Sequence, residues 1–249
     1  MAKPHPLLEE LRRAMKGAGD PARAAGQQAY MKSTMPYHGV ANAEMRKICR
    51  EVFADYVPER ERWSADVLAI WRDARFREER YAAIELAQSR KARPLHTTNV
   101  LGMFEELIVD GAWWDYVDTL ASKNLGLILE NDRAPMRKKM LAWSKCEDMW
   151  KRRSSILCQL QFKEKTDLDF LYACIEPSLS SKEFFLRKAI GWALRQYAWT
   201  DPEEVVRYIE ANDARLSPLS KREALKNVSP QTVRSAPSTA ARGARRRSS

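Results

Sequence analysis

Four short segments recur along the chain at nearly constant spacing, and this repetition constrains the fold more than any other feature. Ile84, Leu120, Ile156 and Ile190 hold matching places in RYAAIELA, YVDTLASK, RRSSILCQL and RKAIGWALR. The steps between them are 36, 36 and 34 residues, each long enough for two helices and two turns. Apolar residues recur at every third or fourth position, without the alternation of strands, so the sequence predicts an all-α chain.

Repeats of this length are typical of HEAT or armadillo helix pairs, which stack into a curved solenoid. The second helix of each pair normally lines the concave side of such an array. Asp118, Arg153 and Trp192 lie in the repeated segments, so we expect them to converge on that side. The sequence therefore predicts a single helical-repeat domain over residues 1–228, curved around a concave face.

The segment Trp113-Trp114-Asp115-Tyr116-Val117-Asp118 combines three aromatic rings and two carboxylates. On a helix, Trp114 and Asp118 lie one turn apart on the same face. An aromatic plate beside a carboxylate suits a site that stabilises positive charge. From these residues alone, the alternative is that a tryptophan fills the core and both carboxylates are solvated or cap a helix.

Positive charge is concentrated at the carboxyl end of the chain. The net charge is +10, and residues 229–249 contribute five arginines and no acid. This stretch is rich in Ser, Ala and Pro, so we expect a disordered basic tail. A basic arm beside a basic body favours a polyanion as partner, with nucleic acid the first choice, although a tail that only aids solubility has the same composition.

Other classes of function lack their usual sequence signals. No apolar run resembles a membrane span or a signal peptide, so we expect a cytoplasmic protein that does not bind membranes. The four cysteines (Cys49, Cys146, Cys158 and Cys174) lack CxxC spacing and an accompanying histidine cluster, which favours buried free thiols. The chain also lacks a dinucleotide fingerprint and a phosphate-binding glycine loop, so neither a metal nor an organic cofactor is expected.

Helix starts can be placed from local capping signals. Asp20-Pro21, Asp201-Pro202 and Ser217-Pro218 each combine a capping side chain with proline at the first helical position. Ser64 and Ser181 are expected to cap two further helices, the second running from Lys182 to Trp199. The other six tryptophans are expected to pack in the core or between helices: Trp63, Trp71, Trp113, Trp143, Trp150 and Trp199.

Longer blocks resemble a known family. The stretches MFEELIVDGAWWDYVDTLAS, WKRRSSILCQLQFKEKTDLDFL, SKEFFLRKAIGWALRQYAWTDP and LSPLSKREALKN are similar in wording, order and spacing to the DNA alkylation repair family of AlkD-like, HEAT-repeat DNA glycosylases. The resemblance extends from about residue 30 to residue 227 and implies that the concave face binds DNA. It implies excision of cationic alkylated purines, such as 3-methyladenine and 7-methylguanine, from duplex DNA by a protein that acts from outside the duplex, without a tight base-flipping pocket.

The resemblance also implies roles for particular residues. The catalytic aspartate of the family falls on Asp118, and its two aromatic walls fall on Trp114 and Trp192. Its arginine at the DNA surface falls on Arg153, and a tyrosine near the amino terminus falls on Tyr30.

Three more positions bear on DNA binding. Arg152 and Lys188 are further candidates for DNA contact. His38 occupies a place in the loop MPYHGV where the family pattern has an apolar residue, which puts the local DNA contacts of that loop in question.

The chemistry of the lesion agrees with this resemblance. A purine that already carries a positive charge is a good leaving group, so one carboxylate can suffice to stabilise the sugar cation and orient water. We expect a monomer that binds alkylated duplex DNA and is associated with the nucleoid when bound. The alternative is a noncatalytic helical-repeat scaffold that binds DNA, RNA or protein, because helical repeats are most often binding platforms.

Overall fold

The computed structural model describes residues 5–229 and 232, and the regular structure of these residues is entirely helical. The chain divides into two compact units, Met1–Leu107 and Ile108–Ser249. The all-helical prediction is confirmed. A single domain over 1–228 and a concave DNA-binding face stay predictions, and the predicted basic tail lies outside the described residues except for Ser229 and Thr232.

Among the described residues, the first unit holds five α-helices before the division and most of a sixth. They are α1 (Pro6–Ala18), α2 (Pro21–Met31), α3 (Asn42–Val52), α4 (Arg60–Arg72), α5 (Arg77–Ala87) and α6 (Leu101–Gly111), which crosses into the second unit. Helices α1, α3 and α5 pack on one another, and α4 packs on α5. Apolar side chains with no exposed surface fill this core, among them Leu8, Leu11, Trp63 and Trp71.

The loop between α2 and α3 is fixed to α5 through its backbone. The Glu78 carboxylate accepts hydrogen bonds from the backbone N–H groups of His38, Gly39 and Val40 at 2.8–3.1 Å. Gly39 has a φ of +83°, and a Cβ there would lie 2.0 Å from a backbone oxygen. The His38 ring is turned inward, stacked 3.8 Å from the ring of Phe76. Its side chain therefore serves loop packing.

The second unit contains the remaining helices of the described chain. They are α7 (Trp114–Thr119), α8 (Gly126–Asn131), α9 (Arg133–Trp143), α10 (Met149–Leu157), α11 (Leu168–Ile175), α12 (Phe184–Tyr197), α13 (Pro202–Ala211) and α14 (Pro218–Ala224). A π-helical turn, Leu120–Leu125, joins α7 to α8. Helix α10 packs against α7 on one side and α12 on the other, and α14 packs on α12.

The four positions that define the sequence repeat all lie inside helical segments and are buried. Ile84 is in α5, Leu120 in the π-helical turn, Ile156 in α10 and Ile190 in α12, none more than 3% exposed. Stacked helix pairs bury one face on their neighbours, so burial at matching positions agrees with the repeat interpretation.

Capping signals predicted some helix starts and misplaced others. The side chains of Asp20, Asp201 and Ser217 cap α2, α13 and α14, as predicted. Ser64 does not begin a helix, because α4 already begins at Arg60. Ser181 lies before α12, whose N-cap is Glu183, and it accepts a hydrogen bond from the Glu183 N–H at 3.2 Å.

Predictions for the other tryptophans and the cysteines hold with two exceptions. Trp199 was assigned to packing, but it follows the end of α12 and is 71% exposed. All four cysteines are free, and three are buried while Cys146 is partly exposed. Among the described residues, no helix is long and apolar enough to cross a membrane.

Candidate active site

Helix α7 separates the aromatic and acidic residues of the hexapeptide onto different sides. Trp113 has an extended backbone and precedes the helix, which begins at Trp114. Tyr116 and Val117 point into the core, whereas Trp114 and Asp118, one turn apart, are both partly exposed. The helical period therefore places this aromatic ring and this carboxylate on one accessible face of α7.

Asp118 forms a two-point ion pair with Arg153. The guanidinium donates from Nε to Oδ1 at 2.7 Å and from Nη2 to Oδ2 at 2.8 Å. This parallel geometry is the strongest form of an arginine–carboxylate contact. The Arg153 side chain is only 5% exposed and the Asp118 side chain 15%. The pair is thus nearly enclosed, with the carboxylate the more accessible partner.

Burial and the ion pair act on Asp118 in opposite directions. Burial raises the pKa of the Asp118 carboxyl, and Arg153 works against that rise. The nearby Asp115 carboxylate adds a smaller upward effect on the pKa of Asp118. The net pKa lies above the ordinary value, which means that the charged carboxylate is held where burial disfavours it.

Arg153 joins three neighbouring helices at one point. It extends from α10, binds Asp118 on α7, and donates from Nη1 to the backbone carbonyl of Phe185 on α12. In the π-helical turn after α7, the Ser122 hydroxyl donates to the backbone carbonyl of Asp118 at 2.7 Å. Both the side chain and the backbone of Asp118 are therefore positioned by defined donors.

An aromatic cluster lies beside this junction and comes from α10, α12 and the residue that precedes α7. Trp113, Trp150 and Phe185 have ring centroids 4.9–6.3 Å apart, in tilted and edge-to-face arrangements. The Arg153 guanidinium carbon lies 5.9 Å from the centre of the Phe185 ring. Phe184 packs edge-on against Phe185 and remains 56% exposed. The packing role predicted for Trp113 and Trp150 is confirmed.

The other predicted site residues have separate surroundings. Trp192 is partly exposed on α12 and packs against the apolar core of the second unit. Arg152 donates to the Pro177 carbonyl at 3.0 Å and to the Ser178 hydroxyl at 2.9 Å. Lys188 pairs with Glu223, and Tyr30 lies in the first unit, 76% exposed near the end of α2.

The position of Arg153 differs from that expected of a surface arginine. A direct phosphate contact stays a prediction, and in this conformation the guanidinium is enclosed and engaged with Asp118 and Phe185. The geometry favours a role in positioning the carboxylate. The sequence could indicate a cation at this point but not its partner, because the two residues are 35 positions apart.

Comparison with known proteins identifies the family. The family model of the DNA alkylation repair enzyme matches residues 11–228, which is most of the chain. The chain belongs to the DNA alkylation repair enzyme family. A role in the repair of alkylated DNA, with DNA as the substrate, follows from this membership.

A solved structure supports the assignment to the DNA alkylation repair enzyme family. The chain is similar to a predicted DNA alkylation repair enzyme from Enterococcus faecalis, with 30% sequence identity and a TM-score of 0.76. The similarity covers 85% of this chain and 97% of that one. No curated protein matches the sequence.

Two contributors to the site of this DNA alkylation repair family member were missed from sequence. The backbone carbonyl of Phe185 accepts a hydrogen bond from Arg153. No side-chain motif in the sequence predicts a backbone contact of this kind. The Glu223 carboxylate forms salt bridges with several cations, including Lys188. One signal could have found Glu223. Lys188 and Glu223 are 35 residues apart, as are Asp118 and Arg153, and this separation is close to the repeat steps of 34 and 36 residues.

Proposed function

We propose that this protein is a DNA glycosylase that hydrolyses the N-glycosidic bond of cationic alkylated purines in duplex DNA. The observation that carries the proposal is the Asp118 carboxylate, nearly enclosed and held at two points by Arg153. The Asp118–Arg153 ion pair has no net charge, so it does not add to the attraction of phosphate on a surface that only binds DNA. A fixed carboxylate on such a surface is explained by a reaction in which positive charge develops.

In the proposed reaction, the bond between C1′ and the base nitrogen breaks first. The electron pair of that bond moves to the base and neutralises its positive charge, so the base leaves without being protonated. The deoxyribose becomes an oxocarbenium-like cation, which the Asp118 carboxylate stabilises by Coulomb attraction. Water adds to C1′ and loses its proton to the carboxylate or to solvent, which gives an abasic site and a free neutral base.

Arg153 fits this scheme as a positioning residue. Its two hydrogen bonds fix the direction of both carboxylate oxygens, and its charge favours the ionised form that burial opposes. Orientation of this kind lets the carboxylate act without reorganising as the sugar cation forms.

The aromatic residues fit the same scheme. Trp114 shares the accessible face of α7 with Asp118, and Trp192 is partly exposed on α12. Ring faces attract cations, so these indoles suit the charged base and the sugar. A base that is already a cation needs no acid to protonate it, and a lesion engaged from outside the duplex needs no enclosing pocket.

Removal of the Asp118 charge tests the proposal. Asp118→Asn keeps the size of the side chain, and we expect it to lower the single-turnover rate of 7-methylguanine release by at least about 100-fold, the scale typical of losing one transition-state contact. Asp115→Asn is the matched control, since it makes the same change three residues away on α7, and it should retain most activity. Full activity of the Asp118 variant would overturn the proposed role, and no release by the unmodified protein would favour a scaffold.

A further inference from the structure

Three cations meet on one carboxylate where α14 crosses α12. Glu223 lies within 3.0 Å of Lys188 Nζ and Arg195 Nη1 from α12, and within 2.7 Å of Lys226 Nζ from the turn after α14. None of these cations has another acidic partner among the described residues. Three positive charges around one negative charge leave an excess of two positive charges at this point.

The close approach of α14 to α12 depends on Gly191. A Cβ at this position would lie 2.5 Å from the Glu223 Cβ and 2.8 Å from the Ser220 backbone oxygen, so a larger residue would push α14 away. The Ser220 hydroxyl also donates to the Arg187 carbonyl on α12, at 2.9 Å. The helix crossing thus places the Glu223 carboxylate next to the cations of α12.

The arrangement covers the carboxylate and leaves the cations accessible. The Glu223 side chain is 6% exposed, whereas the side chains of Lys188, Arg195 and Lys226 are 37%, 26% and 47% exposed. Hydrogen bonds from Lys226 and Lys188 help to lower the pKa of Glu223 to about 2, so the carboxylate stays charged and holds the ammonium groups in place. An anion approaching from solvent would therefore meet positive charge first.

The cluster lies beside the predicted aromatic wall. Lys188, Trp192 and Arg195 follow one another on α12 at spacings of four and three residues, which places them along one side of the helix. An anion bound at the cluster would lie next to Trp192. One cation is enough to neutralise Glu223 at the helix crossing. The positive charge of the other two cations is therefore available to bind an anion.

We propose that Lys188, Arg195 and Lys226 form a binding site for a phosphate group of the duplex DNA backbone. The inference rests on the proposed function only in taking DNA as the substrate. Two surplus ammonium or guanidinium charges at fixed separation suit a phosphodiester, whose charge is spread over two oxygens. A contact to the backbone beside Trp192 would fix the position of the duplex without reading its sequence.

The dependence of DNA binding on salt tests this site. Each phosphate neutralised by a protein cation contributes about 0.9 to the slope of log affinity against log salt concentration. In the double variant Lys188→Gln/Lys226→Gln, we expect weaker binding to a short undamaged duplex and a slope smaller by about 1. Fluorescence anisotropy at several salt concentrations measures both quantities.

The matched control removes the same charge from another exposed place. Lys138 and Lys139 are exposed on α9 and have no acidic partner among the described residues, so Lys138→Gln/Lys139→Gln should leave the slope unchanged. Lys188→Arg/Lys226→Arg should restore the slope of the unmodified protein. Lys226→Gln alone, at the most exposed member of the cluster, should lower the slope with little effect on folding.

Several outcomes would overturn the site. They are an unchanged slope in the double glutamine variant, an equal loss in the control, or no rescue by arginine. Because the duplex is undamaged, the test does not depend on base release. A protein that shows the slope change but releases no base would keep the phosphate site and lose the proposed glycosylase function.

Discussion

The Asp118 carboxylate is buried where the charged form is disfavoured, as is expected of a group that takes part in a reaction. Burial raises the pKa of its carboxyl, and the two hydrogen bonds from Arg153 recover only part of that effect. A paired charge in such a place is weak evidence for stability, since apolar residues of similar size often do as well or better. We therefore interpret the pair as a device for orientation that costs some stability.

Removing Arg153 should show how much stability is lost when the buried Asp118 carboxylate has no partner. In Arg153→Met the Asp118 carboxylate keeps its burial and loses its partner, so the free energy of unfolding should fall by about 3–5 kcal/mol at neutral pH. The pKa of Asp118 should rise further in the folded state. Because the folded protein then retains a proton that the unfolded chain releases, stability should decrease as pH rises from the ordinary carboxyl pKa towards the new one.

Urea unfolding at several pH values measures this effect. Asp118→Asn added to Arg153→Met should recover stability at neutral pH, because an uncharged amide replaces the unpaired carboxylate. Arg152→Met serves as the control, since Arg152 binds the Pro177 carbonyl and Ser178 and has no contact with Asp118. A loss in Arg153→Met that is no larger than in this control, or that does not vary with pH, would contradict the account.

Helix α12 positions several parts of the candidate site. Its first turn presents the Phe185 carbonyl to Arg153, its middle admits α14 at Gly191, and one side carries Lys188, Trp192 and Arg195. The π-helical turn after α7 acts from the other side, where Ser122 binds the Asp118 carbonyl. Insertions of this kind in helices are frequent at functional sites.

Gly191→Ala tests whether the helix crossing holds the cation cluster together. The added methyl group would overlap α14, so we expect a loss of about 1–3 kcal/mol in the free energy of unfolding, the usual cost of overpacking. Gly102→Ala is the control, because a Cβ there meets nothing within 4 Å. Thermal or urea unfolding of both variants measures the difference, and equal stability of the two would refute the tight crossing.

Local signals predicted the elements better than they predicted where side chains meet. Asp201 and Ser217 were placed correctly as caps because each bonds an N–H three residues away. Ser64 was misplaced because α4 begins four residues earlier, on residues without a strong capping signal. Trp199 was predicted to pack in the core or between helices, yet it follows the end of α12 and lies exposed. Which faces are covered is decided by tertiary packing, which periodicity does not report.

For the whole molecule, the sequence predicted the all-helical class, and the family match extends over residues 11–228. What it could not supply is which residues pair across repeats. Asp118 meets Arg153 and Lys188 meets Glu223, each at a separation of 35 residues. Such pairs follow from stacking one repeat on the next, so a repeat of known length predicts candidate partners, and the structure selects among them.

Half of the net positive charge lies in residues 229–249 and the other half in the rest of the chain. The net charge of +10 suits a phosphate backbone, but charge alone does not separate an enzyme from a DNA-binding scaffold. The nearly enclosed ion pair of Asp118 is the feature that favours chemistry over binding alone.

Release of free base from defined lesions tests the central claim most directly. The full chain, in excess over duplex DNA, should release 7-methylguanine, because that base leaves as a neutral molecule from a cationic lesion. Uracil in the same duplex position should not be released, because it is neutral and the proposed reaction includes no protonation of the base. Chromatography of the released bases measures both reactions. No release of 7-methylguanine, or equal release of uracil, would contradict the account.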